Sequence, residues 1–180
     1  DLSSNSHQLH LNTTNDEDTT KNAWGSNPVF DANVFRVGVT DETNKNSTGN
    51  SHVFFAFRSV PGVCKIGSYI GNGDPDGPYI STGFKPRWVI YRVIDSGTDA
   101  YSWTIIDTAR SPVNGPGSQI LHPNLNSTDH TTTGNVIDIL SDGWKRRDSH
   151  SSVNQSGKEY IYMAMAEIGG NGQYPPIYGR

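Results

Sequence analysis

The sequence predicts an all-β protein: a two-sheet antiparallel β-sandwich or jelly roll with long loops and an extended N-terminal arm. Three observations carry this expectation. Of the 180 residues, 33% are hydrophobic and 18% charged, with 19 Gly and 10 Pro. Much of the remainder is Ser, Thr and Asn, whose short polar side chains compete for backbone hydrogen bonds and favour turns over helix. Eight Tyr, six Phe and four Trp bring enough apolar surface to build a core, which excludes disorder throughout. The apolar residues also fall into short runs, about eight or nine of them, parted by turn-formers in the rhythm of a sandwich.

Taken in order, residues 1–28 hold only Leu2, Leu9, Leu11 and Trp24 as large apolar side chains. Such a segment cannot form its own core. It reads as an extended polar arm or linker, either held by a neighbouring subunit or loose, leading into a sandwich domain over residues 29–180. Val34, Phe35 and residues 37–39 make a first short run, and the polar stretch 41–50 is a loop. Residues 52–60, HVFFAFRSV, are apolar at nearly every position, which suits a central strand buried on both faces. Pro61-Gly62 turns the chain into a further strand over 65–70.

The segment that follows, GNGDPDG, is the pivot of the sequence. Glycines take positive φ without strain, and Pro75 and Pro78 fix φ while removing donors, so a sharp, rigid corner is required here. Beyond it lie PYISTGF and the most strand-like run of the chain, residues 87–94. The SGTD turn leads to a strand over 101–107. Residues 108–134 form the longest stretch without strand character, and a loop of that length is either functional or a flap over the core. Residues 136–140 and 143–147 read as strands joined at Ser141-Asp142-Gly143. Residues 149–157 are a polar loop, 158–168 are the last long strand, and the tail is irregular. A weak internal echo relates 34–57 to 144–165, as two equivalent hairpins facing each other.

Charge and cysteine usage exclude several functions. A net charge of −4 and a pI near 5.8, with no basic stripe beyond Lys145-Arg146-Arg147, argue against nucleic acid as a partner. The single cysteine, Cys64, allows neither an internal disulfide nor a thiolate metal cluster. No apolar run approaches the ~20 residues needed to span a bilayer. The chain opens at Asp1 without a methionine, as a trimmed product or a piece of a longer protein does.

The residues that bear chemistry are sparse. Asn72, Asp74 and Asp76 alternate through the corner as in a calcium loop. No glutamate follows at the distance a bidentate ligand needs, so a plain turn whose carboxylates cap backbone donors is the preferred reading. The histidines are scattered, and no cofactor is expected. No nucleophile elbow exists. Asp95, Asp107 and Glu167 end strands, where they either meet in a cleft as a glycosidase pair would or satisfy turn donors; no enzyme is expected. Sugar recognition fits the composition better. Flat aromatic faces stack on pyranose rings while amides bond hydroxyls, which selects Tyr69, Asn72, Tyr79, Trp88, Trp103, Asn114, Trp144 and Tyr174. Each aromatic has a competing reading as core.

The block FRSVPGVCKIGSYIGNGDPDGPYISTGFKPRWVIYRVID, then SWTIIDTARSPVN, then ILSDGWKRR and SGKEYIYMAMAE, resembles a β-rich domain found toward the C-terminus of tail-fibre and other virion proteins of tailed bacteriophages. The resemblance covers residues 30–180, including the closing NGQYPPIYGR, and leaves out residues 1–28. It implies a concanavalin A-like or jelly-roll sandwich on a virion surface, partnered by other virion proteins and by copies of itself, with a homotrimer as the default for fibres. The expected function is a non-enzymatic adhesin domain that binds a host surface glycan. A capsid or tail decoration protein anchored by its N-terminal arm is the alternative, and a tailspike-like depolymerase stands third.

Overall fold

A computed structural model describes residues 7–19, 24, 29–30, 33–36, 53–95, 97, 101–112 and 114–167. The expected run at 37–39, the loop at 41–50, the tail and Tyr174 lie outside the described residues. The chain divides into two compact units, Asp1–His10 with Glu17–Phe57, and Leu11–Asp16 with Arg58–Arg180. Residues 29–57 fall in the first unit together with most of residues 1–28.

In the first unit, the polar N-terminal segment is closed on itself rather than extended. Gln8 and Asp18 exchange backbone hydrogen bonds of 3.2 and 3.0 Å, His7 Nδ1 meets Glu17 Oε1 at 2.7 Å, and Trp24 Nε1 donates to the His7 carbonyl at 2.8 Å. Strands β1 (Val29–Phe30) and β2 (Phe35–Arg36) form a short antiparallel pair. Residues 53–57 depart from expectation. They belong to no strand and are exposed throughout, with Phe55 at 82% and Val53 at 80%. An apolar run becomes a buried strand only where strands pair with it on each side, and residues 53–57 lie in no strand.

The second unit is an antiparallel β-sandwich. One sheet holds four strands in the order β3 (Cys64–Ile70), β11 (Glu159–Ala166), β5 (Pro86–Val93), β6 (Thr104–Asp107). The other holds three, in the order β4 (Tyr79–Ser81), β10 (Gly143–Arg146), β9 (Ile137–Leu140). Period-2 alternation sets the inner faces. Tyr160, Tyr162 and Ala164 of β11 and Val89, Tyr91 and Val93 of β5 are buried, and Trp144 of β10 is fully enclosed opposite them. Its indole stacks near Tyr91 at 6.1 Å and meets Tyr69 and Tyr162 edge-on at 5.3 and 5.6 Å. Gly143 permits the approach of β10 to β4, since a Cβ there would lie 2.3 Å from the Ile80 carbonyl.

The long stretch 108–134 does contain strands: β7 (Gln119–Ile120) pairs antiparallel with β8 (His130–Thr131), and Leu121 bridges to Ile105 of β6. The polar loop 149–157 contains a single helical turn, α1 (Ser151–Asn154), whose first turn is capped by His150 Nδ1 accepting from Ser152 N. The suggested pair of facing hairpins is not formed, because Trp144 and Tyr160 lie on strands of opposite sheets.

Deleting the Trp144 indole would empty the centre of the sandwich. Trp144→Ala is expected to lower stability by roughly 3–5 kcal/mol, measured by denaturant unfolding; a loss below about 1 kcal/mol would contradict this packing.

Candidate functional site

The site is built on the Gly-rich corner. Asn72 Oδ1 accepts from Asp74 N at 3.0 Å and Asp74 Oδ1 accepts from Asp76 N at 2.8 Å, a run of side chains that mimic backbone turns. Asn154, wholly buried in α1, clamps this run from below. Its Oδ1 accepts from Asn72 N, and its Nδ2 donates to Asn72 Oδ1 at 2.9 Å and to the Asp74 carbonyl at 2.8 Å. Gly77 N donates to the Arg146 carbonyl at 3.2 Å, and any Cβ on Gly77 would fall 2.6 Å from Arg146 Cβ. Glycine at this position lets the corner rest directly on β10.

Strand alternation along β10 then sorts its basic residues. Trp144 and Arg146 turn inward, whereas Lys145 and the following Arg147 turn outward to Asp76, at 2.8 and 2.9 Å. The hydrogen bond from Lys145, supported by Arg147, holds the Asp76 carboxyl below the usual aspartate range. Arg147 Nε also reaches Asp138 at 2.9 Å, and Asp138 in turn accepts from Asn135 Nδ2 at 2.7 Å.

Between the corner and residues 132–136 lies an open cleft of about 660 Å3. Asp76, Thr132, Thr133, Asn135, Arg147, Asp148 and Ser149 give it polar walls, with Pro75 and Val136 as apolar patches. Asn135 Oδ1 is buried and has no hydrogen-bond partner among the described residues. The arrangement offers hydroxyl, amide, carboxylate and guanidinium groups at fixed positions, the set that recognises a polyhydroxylated ligand. It offers no aromatic platform.

The sugar-stacking candidates are not gathered. Tyr69, Trp103 and Trp144 are buried, which corrects their assignment as binding platforms. Tyr69 stacks on Tyr160 at 4.8 Å and donates its hydroxyl to the Val153 carbonyl, and burial pushes its pKa well up. Trp103 lies against the guanidinium of Arg92, which donates to the carbonyls of Thr13 and Asn15. Trp88 is half-buried on the outer face of the four-stranded sheet, and Tyr79 is exposed on β4. Asn114 bonds the backbone of Ile139 through both ends of its amide, at 2.9 and 2.8 Å. Asn72 spends its amide within the corner, on Asp74, Asp76 and Asn154, and does not line the cleft.

The calcium candidates Asn72, Asp74 and Asp76 direct their oxygens at backbone donors or cations, as described above. The strand-end carboxylates are each held locally: Asp107 by Arg110 at 2.7 Å, Glu167 by Lys85 at 2.6 Å and Asp95 by Lys158 at 3.5 Å. Asp95 sits at the end of the sheet opposite Asp107 and Glu167, because β5 runs antiparallel to its neighbours. What sequence reasoning missed is the 132–136 wall. The Thr-rich run within the long loop was the available signal.

Fold and cleft together define a β-sandwich module with a polar, ligand-sized groove at one corner. Residues 1–168 match the family described as Domain of unknown function (DUF7483), and the chain belongs to that family. It is also similar to Halomucin of Haloquadratum walsbyi (strain DSM 16790 / HBSQ001), at 26% identity over 140 residues. That match takes in 75% of this chain but spans only 2% of Halomucin's length. No solved structure matches.

Asn154→Ala would strip the clamp from the corner while leaving its backbone groups in place. A loss of about 1–3 kcal/mol for each buried group left unmet is expected in denaturant unfolding. Unchanged stability would mean that the corner holds itself.

Proposed function

We propose that this chain is a binding module rather than a catalyst, a tail-fibre or adhesin domain of a bacteriophage virion that recognises a host surface glycan through the cleft beside residues 72–77. The observation that carries this reading is the cleft itself. Its polar groups are fixed by the Asp76–Arg147–Asp138–Asn135 chain of contacts, so little ordering remains to be done when a ligand arrives. Sugar hydroxyls both donate and accept, which suits a wall of Asp, Asn, Thr and Arg. Pairing of the strand-end carboxylates with local cations favours binding over glycoside hydrolysis. The resemblance of residues 30–180 to virion proteins supplies the setting, and the similarity to a small part of a far longer chain fits a module carried by a larger assembly.

A second reading, a decoration protein that serves as structural cement, is favoured by the exposed Val53, Phe55 and Phe57, which suit a protein contact rather than water.

Polysaccharides from candidate host surfaces, arrayed and probed with the 180-residue chain, test the first reading. A bound glycan should lose affinity about tenfold or more in Thr133→Ala and Asn135→Ala, a change of about 1.4 kcal/mol. Binding that survives both substitutions would remove the cleft from the account. Release of free sugar would make the chain a depolymerase.

A further inference from the structure

Three side chains with no exposed surface, Tyr91, Trp144 and Arg146, meet between the two sheets. The Arg146 guanidinium carbon lies 4.6 Å from the centre of the Tyr91 ring and 5.8 Å from that of Trp144, and the two rings are 6.1 Å apart. The three therefore form one compact triangle. Among the described residues, Nε, Nη1 and Nη2 of Arg146, Nε1 of Trp144 and the hydroxyl of Tyr91 all lack a hydrogen-bond partner at ordinary geometry. Nearby hydroxyls are spent elsewhere. Tyr69 donates to the Val153 carbonyl at 2.8 Å, and Tyr160 donates to the Ser151 carbonyl at 2.6 Å while accepting from Gln155 N at 2.8 Å. No described carboxylate bonds to Arg146, and Asp148 favours its charge only through the field.

Polar atoms this deeply enclosed are nearly always met by protein, water or an ion. The ring faces attract the guanidinium charge but leave its N–H groups without acceptors. The cluster has a single sign: an arginine and an indole only donate, and a phenol can donate as well. A water molecule would accept from two of these groups and then need acceptors for its own hydrogens, where the cluster offers only the Tyr91 oxygen. It would also leave the positive charge uncancelled. An anion needs no acceptor and pairs the charge, turning a costly buried cation into a set of charge-assisted hydrogen bonds. The edge-on packing of Tyr69 and Tyr162 on Trp144, at 5.3 and 5.6 Å, suits a monatomic ion better than sulfate or a carboxylate.

We propose that Arg146, Trp144 and Tyr91 together bind one halide ion, enclosed between the sheets and held by guanidinium, indole and hydroxyl donors. The ion ties β10, which carries Trp144 and Arg146, to Tyr91 of β5 in the facing sheet. Its role is structural: it enters as the two sheets close and stabilises the folded chain by binding that state alone. The site lies in the core, apart from the polar cleft, and does not rest on the glycan reading.

Bromide is the probe, as a halide with an anomalous X-ray signal. Crystals of the 180-residue chain grown in sodium bromide should show an anomalous peak within hydrogen-bond reach of Arg146 and Trp144. In solution, replacing gluconate by bromide at fixed ionic strength should lower the unfolding constant about tenfold once bromide stands about ninefold above its dissociation constant. Arg146→Met should abolish this dependence, and Tyr91→Phe, which keeps the ring, should weaken it. If Arg146→Met does not fold, the bromide map and titration of the parent chain decide. Interior density without anomalous signal would make the ligand water and overturn the proposal. Bromide found only on surface residues, or unfolding indifferent to bromide, would overturn it equally.

Discussion

The structure depends on how strand β10 and the residue that follows it divide their side chains. Trp144 and Arg146 face inward and are wholly enclosed, and Lys145 and Arg147 face outward and hold Asp76. Arg146 is the costly member. Its guanidinium stays charged, and among the described residues none of its nitrogens has a partner at ordinary hydrogen-bond geometry, the Tyr91 hydroxyl being a polar neighbour that favours the charge. Compensation comes from rings: the guanidinium lies 4.6 Å from the centre of Tyr91 and 5.8 Å from that of Trp144. Such a contact is worth about 2 kcal/mol when desolvated. The aromatic wall of Tyr69, Tyr91, Tyr160 and Trp144 therefore serves two ends, filling the space between the sheets and making a buried cation tolerable.

The cleft inherits its geometry from the same strand. Gly77 packs on Arg146, so the corner is seated by the core residue, and the outward neighbours of that residue bind the corner's last carboxylate. Asn154 fixes the other side of the corner from α1. Core and cleft wall are thus alternate residues of one short stretch, WKRR, and a change in its register would disrupt both.

Much of this was legible in the sequence. The runs that became β3, β5, β10 and β11 have the alternation or aromatic density of strands, and the glycines and prolines of the corner allow little else. The division of labour within WKRR was not legible, since a basic triplet reads as solvated surface unless the strand phase and the facing rings are known. Tyr69, Trp103 and Trp144 are aromatic whether they bind sugar or fill a core, and only burial separates the two. The HVFFAFRSV run failed for a different reason. Its composition is that of a central strand, but residues 53–57 pair in no sheet among the described residues, and composition alone cannot supply neighbouring strands. The two-residue strands β7 and β8 lie below the length at which periodicity carries any signal, and a helix cap made by His150 lies outside the usual Ser, Thr, Asp and Asn set.

The division of β10 between core and cleft can be read from its arginine side chains by nuclear magnetic resonance. If Arg146 lies over Tyr91, its Nε proton will be shifted upfield by the ring and strongly protected from exchange, while that of Arg147, bonded to Asp138 at the surface, will lack the ring shift and exchange faster. An Arg146 side chain that exchanges freely at an unshifted position would place it in solvent, and the arrangement of core and cleft described here would be wrong.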